Sequence, residues 1–138
     1  MLLGHSVNNL SDKNRLIIPT IYRKDITVSD EVLFSVDSEK YFKLYTKYLL
    51  EKEIEHKKRL MYLSIINHNN EIYDKLIKEI EDLQESIVDI KEVDVQNRLT
   101  IPEKIRQLYN IKKQLYLLGS NTHIKVFTNK DEYNKYIN

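Results

Sequence analysis

A chain of 138 residues has room for one domain or for two small intertwined halves. It contains no cysteine, which excludes disulfides and thiolate metal sites, and no apolar run approaches the roughly 20 residues that cross a bilayer. With 22 Lys and Arg against 21 Asp and Glu, the net charge of +1 argues against a uniformly basic nucleic-acid coat protein.

The start Met1-Leu2-Leu3-Gly4-His5 lacks the basic head and long apolar stretch of a signal peptide, so a soluble cytoplasmic protein is expected. Leu16 to Ile18 predicts a short strand, stopped by Pro19. Ile21 and Tyr22 are the apolar residues of the brief helical turn that follows. Val32-Leu33-Phe34 predicts a buried strand. Phe42 to Tyr45 alternates around Lys43, so that strand should keep one wet face. A helical stretch then runs from about Lys47 to Ile66, and His68-Asn69-Asn70 breaks it. Ile72, Leu76, Ile80, Leu83 and Ile87 form the stripe of a second amphipathic helix, placed against the rest of the chain or against a neighbouring subunit. Leu99 to Ile101 predicts another strand, ended by Pro102. Glu103 then favours a helix start, and Ile105, Leu108 and Tyr109 share one face of it, with Asn110 as the stop. Leu115 to Leu118 predicts a buried strand, and Ile124 to Phe127, alternating around Lys125, a last strand with one wet face.

Two of these segments nearly repeat. Asn14-Arg15-Leu16-Ile17-Ile18-Pro19 is answered 83 positions later by Asn97-Arg98-Leu99-Thr100-Ile101-Pro102. Each copy carries an arginine four residues past its proline, Arg23 and Arg106. Phe42-Lys43-Leu44-Tyr45-Thr46 is answered by Ile124-Lys125-Val126-Phe127-Thr128. One supersecondary unit is therefore used twice, and the copies are expected to touch about an approximate twofold axis. The domain division is 5–48 for the first copy, 49–86 for a helical connection and 87–131 for the second. Residues 1–48 hold 7 basic and 6 acidic residues, residues 49–90 hold 6 and 10, and residues 91–138 hold 9 and 5. The positive excess sits in the second copy, so any contact with a polyanion is local.

The repeated polar residues are the functional signal. Asparagine tolerates positive φ, so Asn14 and Asn97 suggest a tight loop with a left-handed residue before each arginine. The second loop, Asp94-Val95-Gln96-Asn97-Arg98, has a D-x-x-x-R spacing. In the first, Ser11-Asp12-Lys13-Asn14-Arg15, the acid has moved one place or given way to serine. Arg15 and Arg98 are open to two readings, an ion pair that fixes the loop or a contact with DNA phosphates and guanine edges. Arg98, in the more basic copy and the intact loop, is expected to count for more. Catalytic signals are weak. His5, His56, His68 and His123 form no metal-binding pattern, and with Gly4 and Gly119 as the sole glycines no phosphate-cradling loop exists. No catalytic residue, metal or cofactor is assigned.

These features together resemble the MraZ family, regulators built from two SpoVT/AbrB-type repeats. The resemblance rests on the Met-x-x-Gly start, the paired N-R-L-x-I-P segments with their following arginines, and Leu117-Leu118-Gly119 followed by Ile124 to Phe127, Tyr133 and Tyr136. It implies an α+β fold, two swapped-hairpin β-barrel repeats packed as a pseudo-dimer with a helical segment between them. It also implies a homo-oligomeric ring on double-stranded DNA, at short direct repeats before the division and cell-wall gene cluster, usually as a repressor, in the nucleoid. By motif position its DNA-binding residues fall on Arg15, Arg23, Lys24, Lys91, Arg98 and Arg106, with Ser11, Asp12, Asn14, Asp94 and Asn97 structuring the loops. Asn8 takes the place equivalent to Lys91 without its charge. Ser11 stands where the family usually has Asp, Asn14 and Asn97 where it has Gly, and 49–86 is longer and more helical than usual. Two alternatives remain beside the regulator: a scaffold that keeps the barrel and docks a partner on its acidic helices, and an antitoxin of the same superfamily.

Overall fold

A computed structural model of the chain describes residues 1–137. The first copy contributes β1 (His5–Asn9), β2 (Arg15–Ile17), a short 3-10 helix (Thr20–Tyr22), β3 (Glu31–Ser35) and β4 (Tyr41–Thr46). Two long helices follow, α1 (Lys47–Ile66) and α2 (Asn70–Glu85). The second copy contributes β5 (Ile87–Glu92), β6 (Arg98–Thr100), α3 (Glu103–Leu108), β7 (Gln114–Gly119) and β8 (Ile124–Phe127), and α4 (Lys130–Ile137) closes the described chain. Six strands form one sheet in the order β1-β7-β8-β4-β3-β5, and β2 and β6 form a separate two-stranded ribbon. All pairings are antiparallel.

The copies interleave. The outer strand β1 pairs with β7 of the second copy, and β5 pairs with β3 of the first. Exchanging the copies maps Asn9 opposite Gln114 onto Glu92 opposite Glu31. Two pairs map onto themselves, Leu16 opposite Leu99 in the ribbon and Lys43 opposite Lys125 in the sheet. Between sheet and ribbon lies one core, in which Leu16, Ile18, Tyr22, Phe34 and Phe42 meet Leu99, Ile101, Ile105, Leu117 and Val126, all fully or almost fully buried. Neither copy closes that core alone, since half of its wall comes from the other.

Several sequence expectations need correction. The helical stripe does not reach Ile87: α2 ends at Glu85, and Ile87 opens β5, with buried Ser86 hydrogen-bonded to Ser35 at 2.6 Å. Leu108 is exposed, because α3 is a helix of six residues that turns only Ile105 and, just past its end, Tyr109 inward. The outer faces of β4 and β8 are not simply wet. The helices leaving these strands fold back on them, so Tyr45 lies under Leu50 and Leu83, and its equivalent Phe127 under Tyr133. The half-buried Lys43 and Lys125 keep the only polar stretch of those faces among the described residues. Helix starts follow ordinary capping: Thr46 Oγ1 accepts from the Leu49 N–H, and Asn69 Oδ1 from that of Ile72, after a left-handed His68 breaks the hairpin.

Candidate nucleic-acid interface

The ribbon carries the repeated arginines. In antiparallel pairing, opposed residues share a face and neighbours alternate. Leu16 and Leu99 point into the core, so Arg15, Ile17, Arg98 and Thr100 all lie on the outer face. Arg15 sits opposite Thr100 and Arg98 opposite Ile17. The two arginines are thus diagonal neighbours, about 7–8 Å apart at the backbone. Two copies of one motif converge on a single surface.

The loop at each end of the ribbon closes with the same backbone bonds. The Ser11 N–H donates to the Arg15 carbonyl at 3.0 Å and that of Asn14 to Ser11 at 2.9 Å; the Asp94 N–H donates to Arg98 at 3.0 Å and that of Asn97 to Asp94 at 3.0 Å. Asn14 and Asn97 have φ of 57° and 59°, the left-handed conformation their side-chain type suggests. Their carbonyls accept from Ile101 and Ile18 at 2.9 and 2.8 Å, which extends the ribbon by one bond at each end. Past each proline, the second arginine turns back onto the backbone. Arg23 Nε donates to the Ile18 carbonyl at 2.8 Å, and Arg106 Nε to the Ile101 carbonyl at 3.2 Å. These two arginines hold the short helices against the ribbon. Lys24 is exposed just beyond the first helix, and Lys91 is half-buried on β5 opposite Val32.

The loops differ in charge. Asp94 Oδ1 accepts from the Gln96 and Arg98 N–H groups, both at 2.9 Å, and Oδ2 from Arg98 Nε at 2.8 Å. Desolvation raises the Asp94 carboxyl, but the Arg98 N–H, its guanidinium and the Gln96 N–H more than reverse this and hold it below the usual range. Arg98 is therefore ion-paired. The serine in the matching place has one weak contact, Oγ accepting from the Arg15 N–H at 3.3 Å. Arg15 Nε is buried with no hydrogen-bond partner, and Asp12 is exposed.

The exchange of strands also brings residues to the loops that no motif marks. The Leu10 N–H donates to the Lys113 carbonyl at 2.7 Å, which seats Lys112 and Lys113 beside the first loop. At the second loop the matching bond runs from the Val93 N–H to the Asp30 carbonyl at 2.9 Å. Lys112-Lys113 is visible in the sequence as a basic pair, but its neighbour is not. Among the described residues no group of three His, Asp or Glu side chains is placed to hold a metal, and no helix is long and apolar enough to cross a membrane.

Fold and site define the class: a double-repeat α+β protein whose two copies share one core and present paired arginine loops on one ribbon. No family model matches the sequence. The chain is, however, 26% identical over 129 residues to the transcriptional regulator MraZ of Methylococcus capsulatus (strain Bath), a match spanning 92% of this chain and 78% of that protein. The resemblance to the MraZ family carried by the motifs thus extends through the helical connection as well.

Proposed function

We propose that this chain is a DNA-binding transcriptional regulator that reads duplex DNA with the β2–β6 ribbon and its two loops. The observation that carries this reading is the shared outer face: Arg15 and Arg98, one from each copy, lie diagonally over a buried Leu16–Leu99 pair. A two-stranded ribbon fits the major groove, and the planar guanidinium matches phosphates and guanine edges. Arg23, Lys24, Lys91 and Arg106 add positive charge around it. The name of the Methylococcus relative supports regulation of transcription; a non-enzymatic role in the cytoplasm, at the nucleoid, is part of the same proposal.

The finer reading is a swapped-hairpin β-barrel pseudo-dimer, assembled into a homo-oligomeric ring that engages short direct repeats and represses the division and cell-wall gene cluster. The strand exchange between β1–β7 and β3–β5 supports the pseudo-dimer. The tip of the α1–α2 hairpin supports self-association, since Tyr62, Leu63, Ile65 and Ile66 are all more than half exposed there. Several ribbons held in one assembly would engage several repeats together and gain affinity through effective concentration. The test is titration of a duplex taken from the region upstream of this chain's own gene. Wild type should bind, and a folded Arg15→Ala/Arg98→Ala variant should bind at least about tenfold more weakly. A folded double variant that binds like wild type sinks the reading.

A further inference from the structure

We infer that the two loops are unequal and that the DNA backbone is gripped at the first, by a basic cluster assembled from both copies: Lys13 and Arg15 from one, Lys112 and Lys113 from the other. This rests on the DNA-binding reading and adds to it which end of the ribbon binds, and through which residues. The exchange of strands creates the difference. Each loop lies beside the segment before the third strand of the opposite copy, so 110–114 flanks the first loop and 27–31 flanks the second. At the first end Lys13, Arg15, Lys112 and Lys113 face only Asp12, a net +3. At the second, Lys91 and Arg98 face Asp30, Glu31, Glu92 and Asp94, a net −2. The strand pair beneath repeats the contrast, with neutral Asn9 opposite Gln114 at one end and Glu31 opposite Glu92 at the other.

The first end also has room for a phosphate backbone. An open groove of about 740 Å³ lies beside the loop, lined by Lys112, Lys113, Asn110, Gln114 and Thr128, with Asp12 as its one carboxylate and with Lys13 and Arg15 outside its lining, farther along the same loop. Donors of this kind, dispersed along a groove, suit phosphate oxygens rather than base edges. Arg15 has no carboxylate of its own to leave, whereas Arg98 must first give up Asp94 at 2.8 Å. The ranking expected from composition, with Arg98 first, is thereby reversed: the basic excess of the second copy is delivered to the loop of the first.

The experiment measures the affinity of the full-length protein for the upstream duplex, and for a random-sequence duplex of equal length, from low to moderate salt. Lys112→Ala/Lys113→Ala should lose about tenfold or more on both duplexes, with the log–log salt slope falling by about two, one for each phosphate contact removed. Arg15→Ala should lose about tenfold, and Arg98→Ala less than about threefold. Glu31→Gln/Glu92→Asn, which gives the second end the residues of the first, should bind about three- to tenfold more tightly at low salt. Lys112→Arg/Lys113→Arg should bind like wild type. Equal losses for Arg15→Ala and Arg98→Ala, or an unchanged salt slope in the double-lysine variant, overturn the inequality while leaving DNA binding intact. Failure of wild type to bind either duplex refutes the DNA reading itself, and this inference with it.

Discussion

Replacing Ser11 with aspartate should stabilise the protein and weaken its grip on DNA. In the second loop the equivalent carboxylate accepts three hydrogen bonds, from the Gln96 and Arg98 N–H groups and from Arg98 Nε. Ser11 accepts one, at 3.3 Å, and leaves Arg15 Nε buried and unpaired. The loops share their backbone bonds and their left-handed asparagine, so the new carboxylate can adopt the geometry of Asp94 without moving the chain. Satisfying a buried guanidinium N–H is worth on the order of 1–3 kcal/mol, and the exposed position of the new acceptor pulls the gain to the low end, about 1 kcal/mol. For a chain of this size that raises the midpoint of thermal unfolding by about 3–4 °C. The assay is calorimetric or dichroic melting of wild type, Ser11→Asp, Arg15→Ala and the double variant. The part of the gain that passes through the guanidinium should vanish when Arg15 is absent, leaving only the share carried by the backbone N–H groups of the loop. A stabilisation that is undiminished in the Arg15→Ala background, or none at all in the otherwise wild-type chain, would refute the reasoning. The same substitution removes one unit of charge from the first loop and pairs its arginine, so affinity for duplex DNA should fall several-fold as stability rises.

Three further outcomes are expected. Asn14→Val and Asn97→Val should each cost about 1–2 kcal/mol by denaturant titration, while the glycine variants should be neutral or slightly stabilising, because positive φ burdens a β-branched residue and not glycine. Burial pushes the Glu53 carboxyl up, but the His123 ring 3.6 Å away and the hydrogen bonds donated by the Thr122 and Tyr45 hydroxyls outweigh it and bring it down to about 2. A depressed carboxyl contributes stability that is full above its unfolded value near 4.5 and is lost as pH falls towards 2, here, after solvent screening of a partly exposed group, on the order of 1–2 kcal/mol. Glu53→Gln should therefore flatten the stability profile between those pH values, and a profile as steep as that of wild type would assign the acid sensitivity elsewhere. Arg23→Lys should cost about 1 kcal/mol in urea unfolding, since lysine has no Nε–H to reach the Ile18 carbonyl.

Much of the frame was legible in the chain because it depends on local chemistry. Pro19 and Pro102 mark where each ribbon strand stops, Asn14 and Asn97 mark the left-handed turns, and His68-Asn69-Asn70 marks the break in the hairpin. The strands β1 and β5 were not legible. His5–Asn9 has Val7 as its only large apolar residue, and Ile87 falls in phase with the preceding helical stripe. Both strands owe their state to partners on the other copy, and no local signal reports a partner more than fifty residues away. The same gap hid the site's electrostatics. Composition assigns charge to segments, whereas the interleaved topology assigns it to surfaces, so Lys112 and Lys113 serve a loop at the opposite end of the sequence.

The interleaving has a consequence for synthesis. β1 leaves the ribosome first, yet its partner β7 follows roughly a hundred residues later. At about 5–20 residues per second, that is a delay of several seconds or more. During it the β3–β4 hairpin and the α1–α2 helices can form from local contacts, but the outer edge of β3 stays open until β5 arrives. That edge is as complementary to β5 of a neighbouring nascent chain as to its own. Closure within one chain therefore competes with exchange between chains on the same message, and the packing of α1 on α2 favours it by returning the second copy to the side of the first.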